Sequence, residues 1–137
     1  MLVLDTGPIV AAAASRDRHH EACAALLTTA PPPLVVPALV VTEVSYFLLR
    51  ELGPAAERAF ASSIGDGGLV VEPVEQADWR RICVLLDTYA DMPLGIVDAS
   101  IVALCERLGE TRLATLDRRH LGTVRPLHCE ALELLPG

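Results

Sequence analysis

Short runs of apolar, mostly β-branched residues alternate along the chain with longer stretches in which apolar side chains return every third or fourth position. The short runs read as buried strands and the longer stretches as amphipathic helices. Leu2-Val3-Leu4 is a strand that ends in Asp5. Thr6-Gly7-Pro8 then turns into a helix over about Pro8–Ala14, with Thr6 suited to cap it and Pro8 suited to its first turn. A polar turn over Ser15–Arg18 leads to a helix at about His19–Thr28, which the Pro31–Pro33 run breaks. Leu34–Val36 is the second strand, followed by helices at about Ala38–Leu52 and Pro54–Ser63, parted by Gly53-Pro54. The turn Gly65–Gly68 precedes a strand at Leu69–Glu72 and a helix at Glu75–Tyr89 with Trp79, Ile82, Cys83, Leu85 and Leu86 on its apolar side. After a loop over Asp91–Gly95, a helix over Val97–Leu108 ends at Gly109, a natural C-terminal glycine. Arg112–Thr115 is a strand running to Asp117, and Leu132–Leu135 a final short strand. Strands alternating with helices predict one domain, a three-layer α/β/α sandwich with a mostly parallel central sheet.

Against this pattern, four acids stand where acids are unexpected. Glu43 has Leu39 and Val40 one helical turn before it and Tyr46 and Phe47 one turn after it. Asp98 shares a face with Ile101, Val102 and Cys105, while Asp5 and Asp117 each follow an apolar strand end. An ionised carboxylate buried without a partner is very unfavourable. Arginine partners are one way to resolve it, and for Asp98 the helix dipole is another. The alternative gathers Asp5, Glu43, Asp98 and Asp117 around a divalent-metal site, of one ion or two, which an all-oxygen donor set would make Mg²⁺ or Mn²⁺. In open α/β sheets ligands collect at the carboxyl ends of the strands, where Asp5 stands.

Composition narrows the picture further. The 137 residues suit one domain, and 52% apolar content supplies a large core. No apolar run is long enough to span a membrane and no targeting segment is read, so a cytoplasmic protein is expected. The net charge is −7, and every one of the 11 basic residues is arginine. This disfavours broad capture of duplex nucleic acid but leaves a local patch of Arg112, Arg118, Arg119, His120 and Arg125. Cys23, Cys83, Cys105 and Cys129 form no C-x-x-C pair; His19 and Cys23 have helical ligand spacing but no second pair to complete a zinc site.

With the acids placed, LVLDTGPIVA, VPALVVTEVSYFLLRELG and PLGIVDASIVALCERLGETRLATLDRRHLGTVRP together resemble the PIN-domain family, and closely its VapC-type toxin ribonucleases. The likeness spans nearly the whole chain. It rests on acid-bearing segments in the right order and spacing rather than on any single motif. The resemblance implies an Mg²⁺- or Mn²⁺-dependent endoribonuclease leaving a 3′-hydroxyl and a 5′-phosphate. It also implies a homodimer held inactive by a small VapB-like antitoxin. Asp5, Glu43, Asp98 and Asp117 match the family's acidic quartet, and Thr6 and Thr115 its neighbouring hydroxyl positions. Arg112, Arg118, Arg119 and His120 are the expected RNA contacts, and Asp91 reads as a solvated loop acid. Three other readings compete with it. One is a module of the same fold that binds RNA or protein without cleaving. Another is an aspartic protease suggested by Asp5-Thr6-Gly7, whose all-β fold the helical periodicity opposes. The third is a phosphotransferase with Asp5 as nucleophile, which lacks its second acid and its lysine.

Overall fold

The computed structural model describes residues 1–137. Five strands, β1 (Leu2–Leu4), β2 (Leu34–Pro37), β3 (Val70–Glu72), β4 (Arg112–Ala114) and β5 (Glu133–Leu135), form one sheet in the order β3-β2-β1-β4-β5. Every pairing is parallel; Val3 lies opposite Val35 on one side and Leu113 on the other. The central strand is buried on both faces, which is why Leu2, Val3 and Leu4 read as a continuous apolar run rather than an alternation.

The helices are α1 (Thr6–Ala13), α2 (His20–Thr29), α3 (Ala38–Glu51), α4 (Pro54–Gly65), α5 (Gln76–Thr88), α6 (Ile96–Leu108) and α7 (Arg118–Thr123). Parallel crossovers are right-handed, so the outward path from β1 to β3 lays α1–α4 on one face. The return to β4 and β5 lays α5–α7 on the other. Packing agrees: α1 lies against α2 and α3, α3 against α4, and α5 against α6. The predicted sandwich is therefore present, with a wholly parallel sheet.

Three local expectations are corrected. The cap of α1 is Asp5, whose carboxylate accepts from the Thr6 N–H at 2.7 Å, so Thr6 is the first helical residue. Helix α7 went unread because its Arg-Arg-His-Leu-Gly-Thr sequence carries a single buried residue, Leu121, and so has no periodicity to show. The last strand begins at Glu133, one residue later than expected.

The core runs through both layers. On α3 it takes Val40, Val44 and Leu48; on α6 it takes the whole stretch Ala99–Cys105. On the α5–α6 face the ion pairs are internal to the scaffold. Arg81 grips Glu106 at 2.7 Å, and Arg107 reaches Glu72 at 3.0 Å and the buried Asp78 at 3.1 Å. No helix is long and apolar enough to cross a membrane.

Candidate functional site

The strand order reverses direction at β1, and this decides where a cleft can open. Helix α1 leaves β1 toward one face while α7 leaves β4 toward the other, so a crevice forms between the carboxyl ends of these adjacent strands. Asp5 follows β1 and Thr115–Asp117 follow β4, which places them on the two sides of that crevice. A cleft of about 730 Å³ occupies it, lined by Asp5, Glu43, Asp98 and Asp117 together with Arg119 and His120.

Each acid reaches the cleft by a different local device. Asp5 is only 7% exposed, and both of its oxygens are engaged. One accepts the Thr6 N–H at 2.7 Å and the other the Thr115 hydroxyl at 2.7 Å. The Thr115 oxygen in turn accepts the Asp117 backbone N–H at 3.0 Å, so one hydroxyl fixes the first acid to the last. Asp117 caps α7, taking the His120 N–H at 3.0 Å. Glu43 is half-buried on α3, and the Thr6 hydroxyl donates to it at 2.5 Å. Its stripe borders the core instead of lying within it: Val40 is fully buried but Tyr46 is 57% exposed. Asp98 stands in the first turn of α6, where the helix dipole favours a negative charge.

The electrostatics are those of crowded carboxylates. Burial pushes the Asp98 carboxyl up to about 6, and the charges of Asp5, Asp117 and Glu43 push the same way against the opposing influence of His120. Burial also raises Asp5, against the stabilising hydrogen bonds from Thr115 and Thr6, and the charges of Glu43 and Asp117 add to the rise. The arginine ion pairs lie elsewhere, on Glu72, Glu75, Asp78, Glu106 and Glu110, so arginine does not resolve the buried charge here. Ligand atoms from Asp98, Asp117 and His120 come within 4.8 Å of one another, and Asp5 and Glu43 face the same space. This oxygen-rich donor set fits a hard divalent cation, which would remove the mutual repulsion.

Of the basic residues read as RNA contacts, Arg119 and His120 line the cleft. Arg118 is exposed and donates to the Pro136 carbonyl. Arg112 stands at the start of β4, the far end of the sheet from the cleft, and donates to the Met1 carbonyl at 2.6 Å. A sequence patch joined residues that the strand length separates. Arg125 donates to the Gly122 carbonyl at 3.0 Å, and Asp91 is an exposed loop residue outside the cleft. Neither His19, which takes the Arg18 guanidinium, nor His20, held by the Ala11 carbonyl, lines the cleft. Two rim acids, Asp17 and Glu51, were not read. Glu51 had a signal, being two helical turns from Glu43 on the same face of α3. Asp17, in a polar turn, had none.

Sheet, switch-point crevice and carboxylate cluster together define an acidic-cleft α/β domain, which excludes the all-β aspartic-protease reading. The chain belongs to the PIN-domain family, whose model matches residues 2–124. It is 29% identical over 102 residues to the ribonuclease VapC26 of Mycobacterium tuberculosis, covering 74% of this chain and 76% of that protein. The crystal structure of VapC20 from the same organism, a sarcin-ricin loop cleaving toxin, superposes with a TM-score of 0.83 at 20% identity, covering 95% of this chain and 99% of that one. A toxin–antitoxin complex from Klebsiella pneumoniae superposes with a TM-score of 0.68 at 18% identity, covering 90% and 92%. At these identities the structural likenesses speak to the fold.

Proposed function

We propose that the chain is a divalent-metal-dependent endoribonuclease acting as the toxin of a toxin–antitoxin pair. The observation that carries this reading is the convergence of Asp5, Glu43, Asp98 and Asp117 on one cleft with no arginine ion-paired to any of them. Membership of the PIN family and the likeness to a named ribonuclease support it. Asp5, Glu43, Asp98 and Asp117 would hold Mg²⁺ or Mn²⁺. When bound, such an ion activates water for attack on a phosphodiester and offsets charge developing on the phosphate oxygens.

The chain's own residues prepare that chemistry. Thr115 fixes Asp5 and the loop of Asp117 in one arrangement, and Thr6 orients Glu43. Such supporting hydrogen bonds set the direction in which the carboxylates present their lone pairs. Arg119, exposed at the rim, is placed to draw in a phosphate. Partners follow from the surface. An open groove of about 570 Å³, lined by Leu39, Tyr46, Phe47, Ile96 and Val97, adjoins Glu43 and suits the apolar face of an antitoxin segment.

The test is cleavage of RNA by the purified chain with Mg²⁺ or Mn²⁺ added. Asp5→Asn and Asp98→Asn should each lower the rate by a hundredfold or more while circular dichroism stays unchanged, an effect on the order of 3 kcal/mol in the barrier. Undiminished cleavage in excess chelator would overturn the metal reading. Metal binding without cleavage of any RNA would leave a binding module instead.

A further inference from the structure

His120 is the one imidazole, and so the one nitrogen able to ligate a metal, in a cleft whose other candidate ligands are carboxylates. Its ring Nδ1 lies 3.0 Å from one oxygen of Asp117 and 3.3 Å from the other. Its backbone N–H is held by the same carboxylate, so ring and carboxylate are fixed to one turn of α7. Ligand atoms of Asp98, Asp117 and His120 all fall within 4.8 Å of one another. Two donors each about 2.1 Å from one ion stand up to about 4.2 Å apart, so a small side-chain rotation brings all three into contact with one cation. All three side chains are half-exposed. The neutral ring meets the requirement in either tautomer: Nδ1–H donating to Asp117 leaves the Nε2 lone pair free, and the other tautomer leaves Nδ1 free.

We infer that His120 supplies a nitrogen ligand to the cation held by Asp98 and Asp117, and thereby biases the cleft toward Mn²⁺ over Mg²⁺. The inference rests on the metal-dependent reading above and sharpens it. Imidazole contributes little to Mg²⁺, which demands oxygen and keeps its waters. It contributes more to transition-metal ions, whose affinity for nitrogen rises along the first row. Arg119, one residue earlier and exposed on the rim, is left as the phosphate contact.

The experiment uses the whole chain stripped of metal, with Mn²⁺ as the probe and no RNA. Pulsed electron paramagnetic resonance of bound Mn²⁺ should show nitrogen coupling that changes when histidine is labelled with ¹⁵N. In His120→Gln the coupling should vanish and Mn²⁺ affinity fall by about tenfold or more, while Mg²⁺ affinity falls by no more than about threefold. Bound Mn²⁺ without histidine coupling, or equal losses for the two ions, would overturn the assignment and return His120 to substrate contact. Asp98→Asn separates this failure from that of the underlying reading: if it binds Mn²⁺ as tightly as the native chain, the cleft is not the metal site at all.

Discussion

Thr115 does the most for the site relative to its size. Its side chain is 1% exposed, and it donates to Asp5 while accepting from Asp117. Thr115→Val keeps the shape but leaves a buried carboxylate oxygen and a backbone N–H unsatisfied. The expected loss is about 1–3 kcal/mol in denaturant unfolding, with a drop of about tenfold or more in metal affinity. Unchanged stability and unchanged metal affinity would show that the hydroxyl is idle. Asp98 makes a prediction of the opposite sign. Its carboxyl, about 6 in the folded chain against 3.8 ordinarily, binds its proton more tightly folded than unfolded. Its contribution to stability is therefore full below about pH 4 and is lost as pH rises toward 6 and above. Half-open to solvent, the group is screened, so Asp98→Asn should stabilise the metal-free chain by about 1 kcal/mol at neutral pH. Melting in chelator at about pH 4 and pH 7 checks this: the gain should be absent at the lower pH. Added Mg²⁺ should stabilise the native chain and not the variant.

At the scale of elements, the sequence was most legible where periodicity was strong. Helices α3, α5 and α6 were found within two residues of their bounds, because each buries a regular stripe such as Val40, Val44 and Leu48. Helix α7 was missed, and with it the fact that His120 and Asp117 share a turn. A helix held mainly by a cap and one leucine leaves no hydrophobic rhythm to read. Asp5 and Asp98 were legible as acids at a strand end and on an apolar helix face. The rim acid Asp17 was not, because nothing in the sequence separates an acid facing a cleft from one facing water. Helix α3 carries a prediction of its own. Tyr46 is 57% and Leu49 47% exposed, with Leu52 at 41%, an apolar edge on a helix whose other side is core. Such a surface suits a second copy of the chain. Light scattering should give a dimer at micromolar concentration, and Tyr46→Glu with Leu49→Glu should give a monomer. A native monomer under those conditions would remove the claim.

For the whole molecule, charge and topology govern what can approach the site. The chain carries a net charge of −7 and presents acids at both the centre and the rim of its cleft. Even one bound divalent ion leaves part of that negative potential unmatched. An inhibitor that placed an arginine there would gain a strong, geometrically specific pair. An antitoxin whose cleft-facing arginine is replaced by alanine should stay bound through the apolar groove yet release part of the nuclease activity. Full inhibition by the alanine form would show that blockade is steric. The parallel sheet and its two covered faces were legible because strands and helices alternate so regularly. The precise meeting of strand ends was not, since it depends on which strand inserts beside β1.

That insertion has a consequence in time. The central strand precedes the other four in the chain, yet one of its two neighbours, β4, begins only at Arg112, and the Asp5–Thr115 hydrogen bond joins residues 110 positions apart. Contacts so distant along the chain form late, after the intervening segments have closed their own loops. During synthesis Asp5 therefore waits without Thr115 or Asp117, and the acidic cleft is incomplete until the segment after β4 has emerged.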